Sequence, residues 1–213
     1  MIKRARRVVA AFALALGCLG CAHAGTQREE QLADAVRLAL AGEIADTMPP
    51  SPHFADPAQL VSHVLWIATE STRLRRQITD RAAREALLET AWYEARRAGL
   101  EPALVLGLIQ VESGFNKYAV SSAGAMGLMQ VMPFWTRQIG DGNALTLFRM
   151  RVNLRYGCVI LRHYLDEEHG DLFLALGRYN GSRGRAAYPD AVLAARRAWL
   201  INPNDTRVAS RAP

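Results

Sequence analysis

Residues 101–113 read Glu101-Pro102-Ala103-Leu104-Val105-Leu106-Gly107-Leu108-Ile109-Gln110-Val111-Glu112-Ser113. A proline just after Glu101 suits the first turn of a helix, where its missing N–H leaves no bond unmade. From Ala103 to Val111 the run is too apolar for a surface face, which predicts a helix buried inside a domain. Glu112 ends that helix at the border of the core. Partial burial raises a carboxyl pKa, and the negative end of a helix dipole pushes the same way. A carboxyl that is still protonated near neutral pH is what a general acid requires. The plain alternative is a solvent-facing Glu just past a buried helix.

Outward from this run the apolar spacing stays helical, with no strong period-2 alternation and no obvious repeat. The pattern predicts a helix over 28–45, with Leu32, Ala35, Val36, Ala39 and Leu40 on one face. The proline-rich stretch Met48-Pro49-Pro50-Ser51-Pro52 breaks the chain. Asp56-Pro57 opens a second helix carrying Leu60, Val64, Leu65 and Ile67. Thr79 or Asp80 starts a third, which ends at Gly99. Beyond Glu112 comes a Ser-, Gly- and Ala-rich loop, 113–127, followed by Leu128 to Pro133 and a loop holding Asp141-Gly142-Asn143. A helix then spans about 153–168, with Leu154, Cys158, Leu161 and Leu165 as its stripe. Shorter helices cover 171–179, ending at Asn180-Gly181, and Pro189 to Leu200. The fold class is mainly α.

The chain has 213 residues, 50% hydrophobic and 22% charged, a globular composition that excludes wholesale disorder and a fibre. Its 26 basic and 20 acidic side chains give +6, which on its face suggests nucleic acid or a membrane surface. The location of the charge removes that suggestion. Residues 1–24, MIKRARRVVAAFALALGCLGCAHA, have a basic start, a short apolar core and Ala22-His23-Ala24, the pattern of a cleaved export signal. With it go four basic residues, leaving 22 basic against 20 acidic and a net charge of +2. Two of the three cysteines go as well, so Cys158 has no disulfide partner. An alternative is a lipoprotein acylated at Cys18 or Cys21, which would place the protein at the outer membrane instead of free in the periplasm.

Glu112 is not isolated. Glu112-Ser113, then Gly124-Ala125-Met126-Gly127-Leu128-Met129-Gln130-Val131-Met132-Pro133, then Tyr179-Asn180-Gly181 resemble the successive motifs of the family 1 lytic transglycosylases, the soluble-lytic-transglycosylase type. Asn153 with Gly157 matches a weaker family pattern between them. The resemblance covers about 89–200. It implies a lysozyme-like helical catalytic domain with a sugar-binding groove. The expected organisation is a signal peptide over 1–24, a helical N-terminal extension over 25–88, the catalytic domain over 89–201 and a flexible tail over 202–213.

The resemblance also implies roles. Glu112 would be the single catalytic acid and base. Ser113 would hold its carboxyl or line the site, and Ser121 would donate to the substrate or to Glu112. Met129 and Gln130 would line the groove, with Tyr179 and Asn180 forming the opposite wall. Bland readings stand beside these: Met129 as core, Tyr179 and Asn180 as a helix end, Ser121 as a loop residue. Where the family often has Ala-Tyr-Asn-Ala-Gly, this chain has Arg178-Tyr179-Asn180-Gly181-Ser182. Arg178, Arg183 and Arg185 are either a grip on the carboxylates of peptide stems or solvated surface. Phe115, Tyr118, Phe134 and Trp135 either stack on sugars or fill the core. His163 and His169 lack further ligands, so no metal and no cofactor is expected.

Most glycosidases flank the bond with two carboxyls. Here no Asp or Glu lies between Glu112 and Asp141. The implied substrate is peptidoglycan, cut between N-acetylmuramic acid and N-acetylglucosamine with a 1,6-anhydro end. The expected partners are glycan strands and a cell-envelope protein complex, with no nucleic acid, for a monomer. The competing functions are a muramidase of the goose-lysozyme kind, which would use water, and a non-catalytic wall-binding module.

Overall fold

The computed structural model describes residues 27, 29–45, 54 and 56–200. The expected signal segment, the proline-rich stretch 48–52 and the tail after Asn202 lie outside them. Among the described residues the α-helices are α1 (Asp34–Ala45), α2 (Pro57–Arg73), α3 (Arg81–Arg97), α4 (Pro102–Ser113), α5 (Phe134–Ile139), α6 (Met150–Glu167), α7 (Leu172–Asn180) and α8 (Ala187–Trp199). Among the described residues there is no strand, only isolated antiparallel bridges from Met126 to Val120 and Val131. The mainly α expectation holds.

The helix starts follow from side-chain chemistry. The Asp56 carboxylate accepts the Ala58 N–H at 2.8 Å ahead of Pro57. Asp80 caps Ala82 and Ala83, and Asp171 caps Leu174. Each supplies an acceptor to N–H groups that a helix leaves unpaired. Short 3-10 turns at Leu74–Arg76 and Ala144–Phe148, absent from the sequence reading, join the helices.

The quoted run is the central helix. In α4, Val105, Leu106, Leu108 and Ile109 are fully enclosed. It packs chiefly on α8, and α3 lies against it as well. Gly107 is the crossing point: a Cβ there would sit 2.6 Å from the Arg196 backbone nitrogen. The α6 stripe is core, with Leu154, Cys158 and Leu161 buried and Leu165 packed against them. Glu94 of α3 and Arg155 of α6, both buried, pair at 2.9 Å. A charge there is tolerable only because it is matched and hydrogen-bonded.

Three expectations change. The first helix starts at Asp34, not Arg28, and packs through Leu40, Ala41 and Ile44, with Leu32 packing just ahead of it, while Ala35 and Ala39 are exposed. In α2, Leu60, Val64 and Leu65 are exposed, and the buried side is Trp66, Glu70, Ser71 and the following Leu74. The last helix begins two residues before Pro189, which stands in its first turn, where no N–H is needed. In addition, α3 runs unbroken across 88/89, where the sequence reading divides extension from catalytic domain.

Candidate active site

The last turn of α4 carries Glu112, and Gly114 in the left-handed conformation stops the helix just beyond it. The residue is 7% exposed. Its Oε1 accepts the Tyr188 hydroxyl at 2.5 Å. Its Oε2 is enclosed, with no hydrogen-bond partner among the described residues. Burial pushes the Glu112 carboxyl up to about 8, against a smaller downward pull from the Tyr188 bond. No neighbouring charge contributes to that shift. At neutral pH the carboxyl is therefore mostly protonated, and no carboxylate of the described residues acts on it.

Tyr188 is the residue the sequence reading missed. Placing the helix start at Pro189 left it outside any element. The signal was present: Tyr188, Val192, Ala195 and Trp199 recur at helical spacing and are all buried. An aromatic with a polar tip on such a stripe needs a buried partner. That partner is Glu112.

Between α4 and α6 the Gly127–Gln130 turn is bolted from behind. Asn153 on α6 accepts the Met129 N–H at 2.7 Å. Its amide donates to the Met126 carbonyl at 2.8 Å and the Leu147 carbonyl at 3.0 Å. Gly127, at φ 79°, leaves no room for a side chain: a Cβ would lie 2.6 Å from the Leu147 oxygen and closer still to the Asn153 amide. The weaker Asn153-Gly157 pattern thus has a physical content, because Gly157 makes the space that the Met129 side chain fills.

This bolting changes several expected roles. Met129 is completely enclosed, so its side chain is core and not groove wall. Gln130 is also enclosed, at φ 48°, and its amide donates to the Gly127 carbonyl at 2.9 Å and the Ala119 carbonyl at 3.2 Å. It shapes the turn from within. The Ser113 hydroxyl reaches the Leu128 carbonyl at 2.8 Å and that of Ile109 at 3.1 Å, tying α4 to the turn and not gripping Glu112. Ser121 accepts the Ala125 N–H at 3.0 Å, a bond within its own loop. Tyr179, buried on α7, donates to the Met129 carbonyl at 2.8 Å. Asn180 ends α7 and donates to Ser182 at 3.1 Å. The structure thus gathers Glu112, Ser113, Met129, Gln130 and Tyr179 around one turn, most of them in supporting positions.

Two of the three arginines around the Tyr179-Asn180 motif are also spoken for, and Arg185 is exposed. Arg178 and Arg183 both donate to the carboxylate of Glu168, at 2.6 and 2.7 Å. Arg183, with help from Arg178, holds the Glu168 carboxyl below its usual range. Arg178 also lies 3.4 Å from Glu30. Phe115, Phe134 and Trp135 are buried, whereas Tyr118 is exposed. Among the described residues no cluster of His, Cys, Asp and Glu suits a metal ion.

The transglycosylase SLT domain family matches residues 89–193. The transglycosylase of Enterobacteria phage PRD1 is 36% identical over 112 residues, 49% of this chain and 41% of that protein. The membrane-bound lytic murein transglycosylase C of Actinobacillus pleuropneumoniae serotype 5b is 64% identical over 39 residues, 18% of this chain and 11% of that protein. A solved structure of an inactive mutant of the lytic transglycosylase Slt from Pseudomonas aeruginosa has 26% identity and a TM-score of 0.42, covering 52% of this chain and 22% of that one. The chain spans less than half the length of these relatives. Residues 89–193, which hold Glu112 and the turn beside it, are a transglycosylase SLT domain.

Proposed function

We propose that the protein is an exported peptidoglycan lytic transglycosylase with Glu112 as its only catalytic acid and base. The observation that carries this is the buried carboxyl of Glu112, hydrogen-bonded by Tyr188, with its pKa raised by burial and no carboxylate of the described residues acting on it. As acid, Glu112 protonates the glycosidic oxygen between N-acetylmuramic acid and N-acetylglucosamine. The N-acetyl group of the sugar steadies the developing oxocarbenium ion. The resulting carboxylate, stabilised by the Tyr188 hydroxyl, takes the proton of the muramic acid C6 hydroxyl, and that oxygen closes the 1,6-anhydro ring. The proton count balances: one is given to the leaving group and one is returned to Glu112. Tyr179, Asn153 and Gln130 keep the turn facing Glu112 in place and act through position.

The basic and apolar stretch at residues 1–24 supports export to the periplasm, with lipidation at Cys18 or Cys21 as the anchored variant. No described helix is long and apolar enough to cross a membrane. One relative is named as membrane-bound, which agrees with an envelope setting. The chain acts as a monomer on glycan strands, with a cell-envelope complex as its further partner.

Mass spectrometry of digested sacculi tests the assignment. Anhydro-muropeptides are expected, and Glu112→Gln should release none above background. Reducing ends in their place would make the protein a muramidase. Release by Glu112→Gln at the parent rate would end the catalytic role of this residue.

A further inference from the structure

Helices α2 and α3, the start of α4 and the end of α8 line an open cavity of about 680 Å³. That volume lies in the range of small-molecule sites. It is separate from the proposed catalytic centre. Glu101 to Ala103 line it at the start of α4, whereas Glu112 ends that helix about 13 Å further along its axis.

The walls are aromatic. Phe54, His63, Trp66, Trp92 and Trp199 all line the cavity. They are arranged as a cluster: the His63 ring lies 4.4 Å from that of Trp92 and Phe54 lies 5.7 Å from Trp92, centroid to centroid. Burial holds His63 below its usual pKa, so it serves as a neutral ring. The polar groups at the cavity are of both kinds. Gln59, Ser62 and Arg96 bring donors, and the half-exposed carboxylate of Glu101, whose Oε2 accepts from Arg196 at 2.5 Å, brings an acceptor in Oε1. Three of the four tryptophans in the chain are spent on this one place.

We propose that this aromatic cavity binds sugar rings of a glycan strand, as a second site apart from Glu112. A pyranose ring is amphipathic: its C–H face lies flat on an aromatic ring while its hydroxyl and acetamido groups both donate and accept around the edge. A cavity with aromatic walls and a rim of mixed polarity fits both features. A proline-rich segment, the other common occupant of aromatic clefts, offers carbonyl acceptors and few donors, so it would serve the donors of Gln59, Ser62 and Arg96 but leave Oε1 of Glu101 unmatched. Identifying the sugar as that of peptidoglycan rests on the proposed function.

The test uses the full chain carrying Glu112→Gln, so that nothing is turned over, and the tetrasaccharide of N-acetylglucosamine as probe. Titration should quench tryptophan emission, since three of four tryptophans line the cavity and Trp135 is enclosed elsewhere. Trp92→Ala should weaken this binding by roughly tenfold, the loss of one stacked ring, and Trp92→Phe should keep most of it. Ser62→Arg, on an exposed turn of α2, should block the mouth with an unchanged melting temperature. Unchanged affinity and quenching in both Trp92→Ala and Ser62→Arg would overturn the second site. So would tighter binding, at the same cavity, of a peptide with the sequence Met-Pro-Pro-Ser-Pro. Product analysis of sacculi remains a separate readout. Anhydro ends without cavity binding sink the second site alone, and binding with reducing ends sinks only the transglycosylase assignment.

Discussion

Glu112 is both the reactive group and a weak point in the fold. A carboxyl with an ordinary pKa in the unfolded chain and one of about 8 when folded binds more protons folded than unfolded across that interval. Its favourable contribution is complete below the unfolded pKa, near 4.5, and disappears as pH rises through about 8. Glu112→Gln should therefore melt higher than the parent at pH 8, by a few kcal/mol of stability, with the difference shrinking toward pH 5. Thermal melts across that range check this. Activity follows the same proton: with Glu112 as acid, the rate should fall as pH rises through about 8. Tyr188→Phe removes the bond that favours the carboxylate. It should move that alkaline limb upward and cost roughly 10- to 100-fold in kcat, the worth of a hydrogen bond to a charged group. A pH–rate profile of the variant separates this from simple loss of fold.

At the scale of elements, the site is a turn held by a helix. Asn153 satisfies three backbone groups of the loops around Gly127–Gln130 and the 3-10 turn. Asn153→Ala should cost about 3 kcal/mol by orphaning buried groups. It should lower activity on sacculi even where the chain stays folded, which a denaturant curve and a product assay together reveal. Such bolting explains what the sequence could and could not disclose. Helix α4 was legible because its apolar run excludes a surface position whatever surrounds it. Met129 and Gln130 were legible as motif residues but not as buried ones, since Gly157 and the Ala119 carbonyl come to them from distant parts of the chain. The pairing of Arg178 and Arg183 with Glu168 was equally hidden, being a tertiary match 10 and 15 residues away in sequence. In α2 the choice of face went to Trp66, Glu70 and Leu74, because a buried Glu70 paired with Arg73 breaks the simple apolar pattern.

For the molecule as a whole, the N-terminal helices and the SLT segment share one core. Leu87 and Leu88 are enclosed just before the 88/89 division, and Glu94 of the same helix holds Arg155 of α6. Removing residues 25–88 would cut α3 in half. The remainder should be insoluble or molten, with loss of its near-ultraviolet dichroism. A chain shortened only before Asp56 should keep a cooperative melt, because α2 and α3 stay whole. Reach also differs across the fold. Gln27 is an anchor ahead of α1: its side-chain oxygen accepts the buried Trp135 indole N–H at 3.0 Å. The start of the described chain is thereby fastened to α5, on the face where α1 also packs.

Gly107 is where α4 and α8 touch backbone to backbone. Tyr188 stands about 12 Å along α8 from that contact, eight residues away, so a helix tilt of only about 5° would carry its hydroxyl about 1 Å. That exceeds the roughly 0.5 Å tolerance of a working constellation. The absence of one methyl group thus works as a fulcrum. Gly107→Ala would wedge the helices apart and detune the acid at the end of a lever, without altering any atom that meets the substrate.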